Sequence, residues 1–467
     1  MRLPQLNKMS MGRRGFRAML TAATCLTAIS SALAQTAPPA APAAAPAPDA
    51  SATPAADAPP PGYWINGIHL SAQIDAGIVV NASSPKLNIG QSFTDHPDQP
   101  LLNQILLGAE KKIDPKATGF DWGFKFSFLY GSDARYTHFL GFLDQALPKS
   151  DRDQIDVIEA SVTGHFPVAF FDGGLDVKAG MYPTPLGAEV IDPSGNPFYS
   201  HSYIFNYALP FKHTGFLATA HVTSLVDVYL GLDTGSNTTF GPWGDDNNSI
   251  AGIVGFGLNM MDGNLTVLAL SHMGPENPTR ALDLLVPPQN ANSYMRFYND
   301  VVLIWKANDK LTLTTEAAWV RDDFGASGFA GHPAAANGMG IAQYAGYTLT
   351  DELTLNARAE IFRDDNGFFV AGFPGNYDPV YSEKGIGAPL NTTFAVPQAT
   401  YGAITLGLTY KPTVPPPITS VAIRPEIRYD QSLGGNNVFN PSISKTGAMV
   451  FKNSGAFTFA TDVIVTF

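Results

Sequence analysis

The last thirteen residues, Gly455 to Phe467, read GAFTFATDVIVTF and constrain the chain more than any other stretch. Counted back from the end, Phe467, Val465, Val463, Thr461, Phe459 and Phe457 fall on one side. Thr466, Asp462, Thr458 and Ala456 fall on the other, with Ile464 the large apolar intruder. Successive side chains of a β-strand point to opposite faces, so this reads as a strand with an apolar face backed by a more polar one. Such a strand fits the edge of a soluble sandwich. With phenylalanine as its last residue on the apolar face, it fits better the closing strand of a transmembrane barrel, whose outer wall meets lipid.

The same alternation recurs along the chain. In 120–130, Phe120, Trp122, Phe124, Phe126, Phe128 and Tyr130 oppose Asp121, Gly123, Lys125 and Ser127. In 311–320, Leu311, Leu313, Ala317 and Trp319 oppose Thr312, Thr314 and Glu316. In 353–361, Leu353, Leu355, Ala357, Ala359 and Ile361 oppose Thr354, Asn356, Arg358 and Glu360. In 421–430, Val421, Ile423, Pro425, Ile427 and Tyr429 oppose Arg424, Glu426, Arg428 and Asp430. The pattern alone fits a sandwich with its apolar face inward and a membrane barrel with that face outward. Size favours the barrel, because about 405 residues follow Gly62, too many for one ordinary soluble core. No apolar run reaches the roughly 18 residues that a membrane helix needs.

The reading is therefore an all-β, transmembrane, antiparallel up-and-down barrel. Strands are predicted near 67–81, 101–113, 119–130, 154–166, 174–182, 212–223, 226–235, 249–260, 263–273, 295–307, 310–321, 338–348, 352–363, 399–410, 419–430 and 455–467. About sixteen strands is an even number, which puts both ends of the barrel chain on the periplasmic side. Short turns such as Asp114–Thr118, Phe171–Gly174, Met261–Gly263, Asn308–Asp309 and Thr350–Asp351 are expected to be periplasmic. The long connections 82–100, 131–153, 183–211, 236–248, 274–294, 322–337, 364–398 and 431–454 are expected to be extracellular. The weakest strand is 101–113, LLNQILLGAEKKI, which fits an amphipathic helix equally well.

The start of the chain supports export. Arg2, Lys8, Arg13, Arg14 and Arg17 precede an apolar run from Ala18 to Ile29 and then Ala32-Leu33-Ala34, the layout of a signal peptide (1–34) cleaved after Ala34. Arg13-Arg14-Gly15-Phe16 resembles a twin-arginine signal, but that route carries folded cargo and a barrel must cross unfolded. Cys25 follows Ala22-Ala23-Thr24, a poor lead-in for lipidation. Residues 35–61 are a Pro/Ala tract that cannot build a core and reads as a semi-rigid periplasmic linker; 62–467 form the barrel. Loss of 1–34 takes five of 28 basic residues and none of 40 acidic ones, leaving 23 against 40, a net charge of −17, and no cysteine. That excludes disulfide frameworks, thiolate metal sites and cysteine nucleophiles, and disfavours nucleic-acid binding.

Several short motifs resemble the OmpL-like β-barrel porin family of Gram-negative bacteria. They are Lys178-Ala179-Gly180-Met181-Tyr182-Pro183-Thr184-Pro185-Leu186-Gly187-Ala188-Glu189, then Tyr199-Ser200-His201-Ser202, Pro210-Phe211-Lys212-His213-Thr214-Gly215 and Asp245-Asp246-Asn247-Asn248. Arg358-Ala359-Glu360-Ile361-Phe362-Arg363-Asp364-Asp365-Asn366-Gly367, Arg424-Pro425-Glu426-Ile427-Arg428-Tyr429-Asp430 and the terminal Phe467 follow in order. The chain departs from the family in its long Pro/Ala leader and in the Pro-rich turn KPTVPPPI at 411–418. The resemblance implies an outer-membrane channel for small hydrophilic solutes or ions, surrounded by outer-membrane lipid. It also implies delivery to the barrel assembly machinery through the strand ending at Phe467. Porins of this size are often homotrimers.

If the polar face is luminal, the pore-lining charges are Asp121, Lys125, Asp176, Lys178, Asp227, Asp233, Glu316, Arg358, Glu360, Arg424, Glu426, Arg428 and Asp462. Arginines facing carboxylates across water would set a transverse field that sorts solutes by charge; alternatively they are ion pairs bracing the wall. On the lipid face an Arg at the midplane costs roughly 2–4 kcal/mol, so their regular spacing itself argues for an inward face. In sixteen-stranded porins the loop after the fifth strand folds inward. By resemblance Glu189, Asp192, Tyr199, His201, Tyr203 and Tyr207 of loop 183–211 are candidates for a constriction.

Enzymatic signals are weak: there is no G-x-S-x-G, H-E-x-x-H or Walker A sequence. His201-Ser202 near Asp192 is a coincidental neighbour pair more readily than a hydrolase site. Asp245-Asp246-Asn247-Asn248 is rich in oxygen ligands but lacks the spacing of an EF-hand calcium loop. No cofactor, no metal and no catalytic residue are expected. The alternative to an open channel is a structural or adhesive barrel plugged by its own loops, to which the long segments 274–294 and 364–398 point.

Overall fold

A computed structural model describes residues 63–84, 87–142, 151–240, 244, 247–276, 292, 294–323, 335–373, 394–443 and 449–467. The expected signal peptide, its cleavage site, the Pro/Ala tract, Asp245-Asp246 and most of 274–294 and 364–398 lie outside the described residues.

Seventeen strands share one antiparallel sheet. The first, Tyr63–Ile65, is a three-residue leg folded back on Ile68–Leu70. The other sixteen close into a ring: β1 (Ile68–Val80), β2 (Gln99–Lys111), β3 (Asp121–Gly131), β4 (Gln154–Phe166), β5 (Leu175–Pro183), β6 (Lys212–His221), β7 (Val226–Asp233), β8 (Ala251–Met260), β9 (Leu265–Pro275), β10 (Met295–Lys306), β11 (Leu311–Asp322), β12 (Ala336–Thr350), β13 (Leu353–Asp364), β14 (Ala399–Tyr410), β15 (Ser420–Ser432) and β16 (Gly455–Thr466). Each strand pairs with its neighbour in sequence, and β1 pairs with β16 from Gln73↔Thr466 to Val80↔Phe459. Closure leaves the ladder without an edge, the condition for a sheet to sit in lipid. Among the described residues no helix is long and apolar enough to cross a membrane, a statement that does not bear on strands.

The ambiguous segment around 101–113 is a strand. It bonds to β1 on one side (Leu70↔Ala109) and β3 on the other (Ile105↔Tyr130), and these two ladders outweigh its helical periodicity.

The alternation resolves as an inverted protein. On β16, Phe457 is 51% exposed and Asp462 1%. Trp122, Phe126, Phe216, Leu230, Ile341, Ile361 and Ile427 are likewise exposed, whereas Glu316, Arg358, Arg424 and Arg428 are buried. The apolar faces point out and the charged faces in, as a lipid surround requires.

Short turns join the strands at one end, for example 261–264 and 351–352, and long connections join them at the other. Among the described residues, several of the long connections pack side chains into the interior. Phe93, Ala134, Tyr136, Ile191 and Phe205 pack together with Leu129 and Ile158 of the wall. Leu186, Phe198, Tyr203 and Ile204 join a second cluster with Tyr344, Phe362 and Tyr401 of β12 to β14. The loop between β15 and β16 carries its own hairpin, Phe439–Ile443 with Met449–Asn453.

Candidate functional site

The segment between β5 and β6, residues 184–211, lies against the inner wall. Apart from a short 3-10 turn at Pro193–Gly195 and a single helical turn at Tyr203–Tyr207, its backbone forms no regular element. Its buried peptide groups must therefore find other partners, and the charged faces of β10, β11, β13 and β15 supply them. Carboxylates accept from its N–H groups: Asp300 from Gly187 (2.9 Å), Glu316 from Ala188 (3.0 Å), Glu426 from Tyr199 (2.9 Å) and Glu360 from Tyr203 (2.7 Å). Arginines donate to its carbonyls: Arg424 to Pro193 (2.8 Å) and Asn196 (2.6 Å), Arg358 to Ser200 (2.9 Å), and Arg428 to His201 (3.1 Å). A ladder of alternating Arg and Glu thus does for the loop what a neighbouring strand would do.

The same side chains are paired with one another. Arg358 meets Glu189 at 2.7 Å, Arg428 meets Glu360 at 2.9 Å and Asp430 at 2.8 Å, and Arg424 Nε donates to Asp462 at 3.0 Å. Glu189 accepts in addition from Tyr344 Oη (2.9 Å) and contacts His201 Nδ1 (2.6 Å). Burial works to raise the Glu189 carboxyl, but Arg358 and His201 outweigh it and hold it at about 2. Arg358, Glu360, Arg424, Glu426, Arg428 and Glu316 are all buried. They line the seat of a loop rather than open water, because the loop occupies the space in front of them.

Small residues in the wall make the seat fit. A Cβ on Gly77 of β1 would come within 2.6 Å of the Tyr199 ring, and one on Gly340 of β12 within 2.8 Å of Ile204. Gly187 adopts φ +98°, open to glycine at no steric cost. Tyr203 stacks on Tyr401 with ring centroids 4.8 Å apart, and its hydroxyl donates to Asp430 (3.0 Å). Tyr207 Oη donates to Ala371 O (3.3 Å) and Tyr199 Oη to Asn103 (2.7 Å). Asp192 accepts from Gln73 (2.8 Å) and from Ser194. Ser202 Oγ accepts from Phe205 N–H and caps the short helix, while His201 is engaged with Glu189. These three residues serve separate partners, an arrangement unlike a hydrolase triad.

A second buried cluster lies behind the loop. Arg135 pairs with Asp95 (3.0 Å), which also accepts from Tyr136 Oη (2.7 Å). Burial would raise the Asp95 carboxyl, but Arg135 and His96 hold it at about 2. Asp133, accepting from Asn103 (2.8 Å) and Gln104 (2.9 Å), is raised by burial to about 7 against those two bonds.

The remaining charges stand half a ring away, since β5 and β13 are eight strands apart in sixteen. Lys178 on β5 and Lys125 on β3 both reach Glu159 of β4, at 3.0 and 3.7 Å, with side chains 34% and 48% exposed. Toward the short-turn end, Asp176 contacts His165 (2.6 Å) and His221 (3.3 Å), and His221 also contacts Asp227 (2.7 Å). Asp121 sits at that rim beside Lys111 (3.4 Å). Glu159 escapes the alternation reading because the ladder between β3 and β4 shifts register at Ser127/Phe128. That β-bulge puts both Asp156 and Glu159 on the inner face, an odd spacing that strict period two cannot produce.

A closed ring of sixteen antiparallel strands with an apolar outer wall and a charged interior defines a transmembrane β-barrel. Over residues 67–467 the chain matches the profile of the family described as beta-barrel porin-2, OmpL-like, and it belongs to that family of outer-membrane barrels. No curated protein sequence matches the chain. The fold is similar to the outer membrane channel DcaP of Acinetobacter baumannii, at 10% identity over 87% of this chain and 99% of that one, with a TM-score of 0.47. It is also similar to OprB of Pseudomonas putida (13% identity, 86% and 94% covered, TM-score 0.47) and to OmpF of Salmonella typhi in complex with daunomycin (9%, 86% and 97%, 0.48).

Proposed function

We propose that the protein is a passive diffusion channel for small hydrophilic solutes and ions, with loop 184–211 as a fixed constriction and the passage running along the wall of β3 to β5. The observation that carries this reading is the contrast in exposure between Lys125 and Lys178 and the arginines half a ring away. A water-accessible lysine pair beside one carboxylate is the arrangement that interacts with a passing ion, whereas a sealed arginine cannot. Export by a signal cut after Ala34, insertion through the strand ending at Phe467, and a homotrimer in lipid belong to the same reading. The test is conductance of the purified, folded protein in a planar bilayer under a salt gradient. Discrete steps with a non-zero reversal potential are expected; a folded barrel giving no steps under any gradient overturns the proposal.

One observation favours a second reading, a barrel plugged by its own loops. Segments 87–95 and 133–140 pack behind loop 184–211 and thicken the closure of the long-loop end. A plugged barrel is silent in the same bilayer experiment, so one measurement separates the two.

A further inference from the structure

His213, Asp233 and His272 lie on β6, β7 and β9 and converge on one point of the inner wall near the long-loop end. All three side chains are fully buried. His272 Nε2 is 3.0 Å from Asp233 Oδ1, His213 Nδ1 is 3.3 Å from Asp233 Oδ2, and one ligand atom from each residue falls within 4.8 Å of the other two. Ligand atoms held at about 2.0–2.1 Å from a tetrahedral zinc ion lie roughly 3.3 Å apart, so the spacing is that of a half-built coordination shell.

The orientation of the atoms points to a ligand as well. His213 Nδ1 and Asp233 Oδ2 face each other at 3.3 Å without the alignment of a hydrogen bond, and each is a buried polar atom with no hydrogen-bond partner. Two polar atoms without aligned partners in a dry interior are costly, and with His213 in its Nε2–H tautomer a cation between them satisfies both. The other nitrogen of His213, Nε2, lies 3.0 Å from Thr184 Oγ1. Donation from Nε2–H to that hydroxyl leaves the Nδ1 lone pair free, the outer-sphere bond that orients metal-bound imidazoles. Tyr182, paired with His213 across β5 and β6, has a buried hydroxyl without a partner. It is available to hold a water in a fourth position.

We infer that His213, Asp233 and His272 form a binding site for a divalent transition-metal ion, with zinc the best match to two imidazoles and a carboxylate. Magnesium and calcium, which take oxygen ligands, do not suit it. A bound ion ties β6 and β7 to β9 across the intervening β8. Through Thr184 it also fixes the root of loop 184–211. No local spacing announces the site, since its ligands are separated by 20 and 39 residues.

The experiment uses the folded, untagged full-length barrel in detergent, stripped with chelator and titrated with Zn2+ against a chromogenic zinc indicator. One equivalent is expected for the wild type, and at least about a tenfold loss of affinity for His272→Ala and Asp233→Asn, judged against the 10–100-fold that outer-shell changes alone cost. His221→Ala, which alters the histidine–aspartate group at the other end of the barrel, is expected to bind as the wild type does. Should the site variants fail to fold, X-ray absorption of the zinc-loaded wild type decides, because two imidazoles must appear in the first shell. Absence of binding by the stripped, folded wild type, binding lost in His221→Ala but kept in His272→Ala, or an all-oxygen shell each overturns the assignment.

Discussion

Two walls of the same barrel use charge in opposite ways. On β13 and β15, Arg358, Arg424 and Arg428 are sealed under loop 184–211 and spend their donors on its carbonyls and on Glu189, Glu360, Asp430 and Asp462. On β3 to β5, Lys125 and Lys178 share Glu159 and keep a third to a half of their surface in contact with solvent. Guanidinium presents several fixed donors and suits a buried, multiply bonded post; ammonium is a strongly hydrated point charge on a flexible stem and suits an exposed one. The lesson is that a charged inner face does not imply a water-lined one. What stands in front of the charge decides.

The largest break in this contrast is Arg358→Ala. It takes from Glu189 its guanidinium partner and from the carbonyl of Ser200 its donor, and losing one partner of a buried ion pair costs about 3–5 kcal/mol. A lowered urea midpoint of the barrel in lipid vesicles checks it. The same variant is expected to raise conductance by freeing the loop. Next is Gly77→Ala, whose added methyl meets the Tyr199 ring at 2.6 Å; overpacking of this kind costs about 1–3 kcal/mol. Proteolysis of the loop in the intact barrel is expected to speed up.

Acidity should act on the loop clusters with two opposite signs. Glu189 is held at about 2 against an ordinary 4.5, so the folded state binds fewer protons at this group. Its contribution is fully present above the ordinary value and is lost as pH falls from 4.5 toward 2. Asp133 is raised from 3.8 to about 7, so its contribution is favourable below 3.8 and fades as pH rises through that interval. Asp133→Asn is therefore expected to flatten the stability profile between about pH 4 and 7, read from unfolding midpoints, and to leave the acid limb below it unchanged. The smallest effect in energy is the most telling for transport. Lys125→Gln, which removes the more exposed ammonium and leaves Lys178 on the buried Glu159 at 3.0 Å, is expected to move the reversal potential toward cation preference with little change in stability, while Arg424→Ala leaves ion preference nearly constant and alters step size. If Arg424→Ala instead moves the reversal potential most, the roles of the two walls are exchanged.

The strands were legible because lipid imposes period two on every one of them, and a signal repeated sixteen times survives local noise. Even 99–111, whose apolar residues fit a helix, takes the strand that its two neighbours demand. The outward and inward faces of 353–361 and 421–430 were legible for the same reason. The seat of the loop was not. Arg358 and Glu189 are 169 residues apart, Tyr199 and Glu426 227, and no local spacing encodes such a meeting. The inward folding of 87–95 and 133–140 was missed although Phe93, Arg135 and Tyr136 are unusual cargo for a surface loop; apolar and charged residues together in a connection are a hint of burial.

The pairing of β1 with β16 also has a temporal side. Gln73 meets Thr466 across 393 residues, so the ring shuts only when nearly the whole chain is in place. Until then two unpaired edges are exposed together, each a template for pairing with the wrong chain. The entropy of closing so long a loop must be met before the seam rewards it. The eight residue pairs of that seam join positions farther apart in sequence than any other ladder of the ring. They act as a completion check: a chain lacking its final strand carries fifteen well-patterned strands and no way to stop being sticky.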